Sequence, residues 1–316
     1  MALQDTYLTM VKQVAGELNL AIPQYVVGNL NRDVIQIAAL MLRAARELVH
    51  EYEWQALDKN YYFYTQYFTT TADTTQGSPV LQNVKNIGLA PSAFITKPAY
   101  FNVIGSTAQT NNVQVVSIDQ TDPNNTKVTM NQNAQTTTTA SSVDFTQQIY
   151  DLPSDYSALI DRTAWDSTRR WLMLGPSTPQ EFQWLQQGYI STGPRIRYKL
   201  QNNKFNTWPS YATNERLAFE YRGNTIIVGS DGVTPQSTFQ ADTDLIIINE
   251  QLLVLFTKLK YWQIKGFDTQ DVAMEFDRHL AISKSLDSSA KIISYAPNPA
   301  EVLINYQQIP DSGYGS

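Results

Sequence analysis

The chain has 316 residues, 42% of them hydrophobic, which is long enough for one large or two modest domains. It has no cysteine, which excludes disulfides, thiolate metal sites and cysteine nucleophiles, and suits folding in a reducing cytosol. A formal net charge of −6 argues against a protein whose main task is to grip phosphates, because such binders concentrate Lys and Arg.

Leu3, Tyr7, Met10, Val11, Val14 and Leu18 share one helical face, and Pro23 stops any continuation, so an amphipathic helix is expected over residues 3–18. A second helix is expected to start after Asn31, a good N-cap, with Val34, Ile37, Met41, Ala44, Leu48 and Tyr52 in near-heptad spacing. From about Tyr61 the period changes. Between Gln66 and Gln148, Thr, Asn and Gln dominate and short apolar alternations such as residues 113–118 and 127–130 are separated by turn formers, which reads as a folded β module. The competing reading of this stretch is a low-complexity linker, given the run Thr136 to Thr139.

Residues 156–174 read as a helix that is apolar on two faces, one through Tyr156, Leu159, Ile160, Thr163, Trp171 and Leu174. The other face runs through Ala158, Trp165 and Leu172, spaced by seven, and these three are the expected subunit interface. Asp166 is expected to form ion pairs with Arg169 and Arg170 on the remaining surface. Thr178-Pro179-Gln180-Glu181 is a capping box with proline at the first helical position, so a helix is expected from Pro179 to Gly188. Strands then follow near residues 195–200 and 204–208, and a hairpin in which residues 217–221 and 225–228 flank Arg222-Gly223-Asn224. Asn249 opens a helix that Gly266 closes, and a last helix covers about residues 270–287. The remainder is rich in Pro, Gly, Asn and Ser, as in an extended arm.

Little in the sequence suggests reaction chemistry. The only histidines are His50 and His279, and the segment His50-Glu51-Tyr52-Glu53-Trp54 lacks the second histidine of a zinc-protease helix, so both read as ordinary helix residues. There is no Gly-rich phosphate loop and no Gly-x-Ser-x-Gly elbow. Glu51 and Glu53, two apart on a helix, point in different directions and make a poor glycosidase pair. Tyr61-Tyr62-Phe63-Tyr64 could stack sugars or bases, and an ordinary strand explains it as well. Arg195 and Arg197 share a strand face and suit a subunit contact or a solvated face better than phosphate. No metal, cofactor, catalytic residue or membrane span is expected, since no apolar run approaches the ~20 residues that cross a bilayer. The N-terminus has no basic region followed by an apolar block, so it does not look like a secretory signal.

Asp151-Leu152-Pro153, residues 161–166, Arg169-Arg170-Trp171, Leu174-Gly175-Pro176 and residues 178–181 occur in order, followed by residues 217–221, 239–244 and 260–268. This series resembles the tail tubular protein A type head-to-tail adaptors of short-tailed bacteriophages over most of residues 150–290. Residues 73–78, 103–105 and 128–130 are similar, more weakly, to a β module of phage structural proteins, which compact adaptors lack.

The resemblance implies a dodecameric ring, a homo-oligomer joining the portal protein to the tail nozzle protein, with DNA passing through the lumen without specific binding and no enzymatic role. The subunit would be assembled in the host bacterial cytoplasm and end in the neck of the virion. Part of the acidic excess is then expected to line the lumen, so that DNA passes without sticking. The expected fold is α+β, with residues 1–66 and 149–296 as a helical-bundle body carrying a small antiparallel sheet. Residues 67–148 are expected as an inserted all-β module and residues 297–316 as an extended C-terminal arm. Pro297, Pro299, Tyr306 and Pro310 mark that arm as the expected portal-docking element. The rival readings are a glycan-binding or depolymerising tail protein, or another neck completion ring.

Overall fold

The computed structural model describes residues 5–104, 113–122, 125–187, 196–209 and 214–287. It divides into two compact units. The first comprises the described residues up to Lys59, Asp155–Ala158 and those from Tyr221 onward; the second comprises Asn60–Ser154 and Leu159–Glu220.

Four helices build the first unit: α1 (Tyr7–Glu17), α2 (Arg32–Glu51), and two near the C-terminus that we number α5 (Glu250–Lys265) and α6 (Gln270–Asp287). Side-chain caps fix the starts of three of them, since Thr6, Asn31 and Asn249 accept from the backbone N–H groups of Thr9, Asp33 and Gln251. Gly266, at φ 74, closes α5 in the left-handed conformation that glycine adopts without a Cβ penalty. The core joins Met10, Val14, Ile37, Met41 and Leu48 to Leu252, Leu253 and Phe276. Trp54 is buried beside them, its indole N–H donating to the Leu48 carbonyl at 2.7 Å. A two-stranded piece, Ile227–Val228 against Leu245–Ile246, completes this unit.

The second unit holds the two remaining helices, α3 (Ser92–Thr96) and α4 (Pro179–Gln187), and most of the strands. Its largest sheet is six-stranded and antiparallel. The order is Tyr67–Thr74, Thr138–Gln147, Phe101–Ile104, Val113–Asp119, Lys127–Met130, Val80–Leu81. The first and last strands meet through reciprocal backbone bonds between Asp73 and Gln82, 2.8 and 2.9 Å, so the sheet nearly closes on itself. Phe94, Phe101, Phe145, Val103 and Val128 fill its interior. A three-stranded sheet, Arg197–Gln201, Lys204–Trp208 and Ile149–Asp151, lies beside an aromatic cluster in which Phe63 meets Tyr150 and Phe205. A further sheet runs Asp58–Tyr64, Arg216–Gly223, Trp165–Asp166, Trp171–Leu172.

The helical-bundle body expected from the sequence is overturned. Among the described residues sixteen strands stand against six α-helices, and the chain is β-rich. The main error lies in residues 156–174, which form the strands Tyr156–Leu159, Trp165–Asp166 and Trp171–Leu172. Local chemistry explains why. Arg162 and Arg170 adopt φ of 59° and 60°, which no helix accommodates. The Asp166 Oδ1 accepts from the N–H groups of Thr168 and Arg169, an Asx turn that competes with helical bonding. The aromatic and branched residues that suggest a helical stripe are strand formers.

The expected ion pairs from Asp166 to Arg169 and Arg170 therefore have no helical surface to lie on, and the Arg169 guanidinium reaches Glu215 at 2.7 Å. The expected hairpin over residues 217–228 is also corrected. Thr225 donates to the Gln236 carbonyl and accepts from Ile227 N–H, turning the chain so that Ile227–Val228 pairs with Leu245–Ile246. The helix at Pro179 starts as its capping box specifies, with Glu181 N–H on Thr178 Oγ1 at 3.2 Å. Its expected stop at Gly188 lies outside the described residues.

Candidate interaction surfaces

The expected interface residues are redistributed. Trp165 and Leu172 are direct cross-strand partners, not neighbours on a helix, and Trp165 also lies opposite Ala218. Side chains so paired lie on one face of the sheet, and with Trp165 44% exposed and Leu172 half-buried they make a small apolar spot. Ala158 is exposed on the strand Tyr156–Leu159 and belongs to the first unit. Pro297, Pro299, Tyr306 and Pro310 lie outside the described residues, as does Arg195. Arg197 binds Glu181 at 2.7 Å. Tyr62 and Tyr64 point outward while Tyr61 packs on Phe219 at 5.4 Å, the alternation of an ordinary strand.

A surface not expected from the sequence lies in the first unit, between α1 and α2. Ile22, Tyr25, Val27 and Leu30 are exposed there, Leu30 by 90%, and Ile35 on the first turn of α2 is exposed as well. The segment is held in place. The Asp242 carboxylate accepts from the N–H groups of Val26 and Val27, the latter at 2.8 Å, Val26 is buried, and Asn29 bonds both Tyr25 O and Asn31 N–H. Apolar side chains on a pinned backbone lose little entropy when a partner covers them. A second exposed apolar row, Met274, Ile282 and Leu286, follows the i, i+4 ridge of α6. The sequence does carry a signal for these residues, in the apolar side chains Ile22, Tyr25, Val26, Val27 and Leu30 gathered around Pro23 and Gly28, where Pro23 stands out only as a helix stop.

Electrostatics in the second unit bind segments together. Burial would raise the Asp151 carboxyl, but hydrogen bonds from Lys204 and Lys97 outweigh it and hold the group down at about 2. Tyr100 donates to the same carboxylate at 3.2 Å. Asp166 behaves in the opposite way. Burial, and then the neighbouring Glu215 carboxyl, push it up to about 6. Among the described residues no group of three or more His, Asp or Glu side chains is placed to hold a metal ion. No helix there is long and apolar enough to cross a membrane. Glu51 faces Lys284 at 3.8 Å and Glu53 faces Arg222 at 3.4 Å, so the two do not converge.

No protein-family model matches the chain, and no curated protein does.

Proposed function

We propose that this chain is the structural subunit of a phage head-to-tail adaptor, a dodecameric ring between portal and tail nozzle through which genome DNA passes, with no catalytic role of its own. Two things support the reading: the ordered motifs between Asp151 and Asp268 that resemble such adaptors, and the pinned apolar segment Ile22 to Leu30. The second carries more weight, because large side chains presented on a fixed backbone match what a subunit or portal contact needs. In this reading the segment packs against a neighbouring copy or the portal rim, and the contact is heterologous, closing a ring by rotation.

The experiment is to mix the purified protein with portal particles of the same phage and image them. A ring stacked on the portal is expected, and it is expected to disappear with the double variant Ile22→Asp, Leu30→Asp while the thermal melt of the free protein stays unchanged. Portal particles left bare by the native chain, or glycan binding or cleavage by it, would overturn the reading in favour of a tail protein of another kind.

A further inference from the structure

The first unit also carries a groove that the ring reading does not use. Ala39, Leu42, Arg43, Arg46, Glu47 and His50 fall at i, i+3, i+4, i+7, i+8 and i+11 along α2, and thus form one stripe. A recess of ≈ 320 Å³ lies over them. It shares Arg46 and His50 with a larger cleft of ≈ 510 Å³. The floor of that cleft is apolar, made of buried Ala45, Val49, Ile226 and Ile227. Ser157, Asn224, Thr225 and Ser237 supply polar groups around it. The stripe covers about 16 Å of helix, the length of about five residues of extended chain.

The charges along the groove are unequal. Among the described residues its one lining carboxylate, Glu47, is held by Arg43 at 2.8 Å and by Lys260 at 2.6 Å, and those hydrogen bonds, Lys260 first, keep its carboxyl below the usual range. Glu51 and Glu53, next along the chain, face Lys284 and Arg222. Arg46 is exposed and, among the described residues, makes a single long hydrogen bond, 3.4 Å, to the Ser237 carbonyl. A guanidinium has five N–H donors, so Arg46 retains the capacity for a bidentate bond to a carboxylate. Arg43, Arg46 and His50 thus line the recess beside a carboxylate that Arg43 and Lys260 already satisfy.

We infer that this groove binds an extended acidic peptide segment of a partner protein, about five residues long, with a carboxylate on Arg46 and an aliphatic side chain over Val49 and Ile226. A peptide fits better than nucleic acid. The apolar floor suits an aliphatic side chain, which a sugar-phosphate backbone does not carry.

Fluorescence anisotropy with a labelled Glu-Val-Glu-Val-Glu peptide tests the inference on the full chain. Saturable binding is expected, weakened about tenfold when Gln replaces Glu in the peptide and about tenfold by Arg46→Glu, with Arg46→Lys in between. Arg46 is exposed, so all variants are expected to melt like the native protein. The absence of saturable binding, equal binding of the Gln peptide, an affinity unchanged by Arg46→Glu, or displacement of the peptide by a short thymidine oligonucleotide would each overturn the inference. None of these outcomes depends on whether the protein forms a ring.

Discussion

The helical unit and the sheet unit reach buried cores by opposite routes. In the first, α2 alone buries eight side chains along twenty residues, and one Asn cap sets its start. In the second, strands as short as two residues are held by bonds from distant segments, as when Ser167 N–H bonds the Arg216 carbonyl and Arg216 N–H bonds Thr168 Oγ1. A long helix averages over many residues and tolerates one misplaced side chain. A two-residue strand has no local average, and its partners decide its conformation.

If each unit has its own cooperative core, damage should stay where it is made. Phe145 is fully buried in the six-stranded sheet, 4.8 Å from Phe94 and 5.1 Å from Phe68 between ring centroids. Phe145→Ala removes a whole aromatic ring from that interior and is expected to cost about 3–5 kcal/mol in the second unit. Hydrogen exchange should show the loss in strands Phe101–Ile104 and Val113–Asp119, with the protection of α2 and α5 retained. Equal loss in α2 and α5 would mean that the two cores unfold as one and that the units differ only in shape.

A smaller effect is expected at the Gly-Pro corner, and this corner shows how far the sequence is legible. Gly175 has φ 154°, and a Cβ there would stand 2.6 Å from the Tyr198 carbonyl oxygen. Gly175→Ala must therefore push apart the bridge between Leu174 and Arg197, at about 2–3 kcal/mol, measurable by urea denaturation. A variant as stable as the native protein would show that this corner is soft. That Thr178 caps the helix after it is legible within a few consecutive residues. The caps Asn31, Asn249 and Gly266 are legible for the same reason: the chemistry that sets them is local. The strands of residues 156–172 are not, because Arg162 and Arg170 enter the left-handed region only where cross-strand pairing to residues 216–220 requires it. The groove is illegible too. His50 is an exposed helix residue, but the larger cleft it lines depends on Ser157, Asn224 and Ser237, more than a hundred residues away in the chain.

The mildest test uses pH to separate the carboxyls of the second unit. Asp166 is pushed up to about 6, first by burial and then by Glu215, whereas an unfolded aspartate titrates near 3.9. The folded chain thus holds this proton more tightly than the unfolded one. The associated stability is fully present below about pH 4 and is lost as pH rises through about 6. Asp151, held at about 2, has the opposite sign: its contribution is present above about pH 4 and disappears only in stronger acid, so the two windows do not overlap. Asp166→Asn keeps an oxygen to accept from Thr168 and Arg169 but cannot ionise. Urea midpoints at about pH 4, 5, 6 and 7 should therefore fall for the native protein and stay level for the variant. Parallel slopes for the two would show that the proton is not held at Asp166, and would place the pH response of the sheet unit in the exposed carboxylates it shares with any acidic surface.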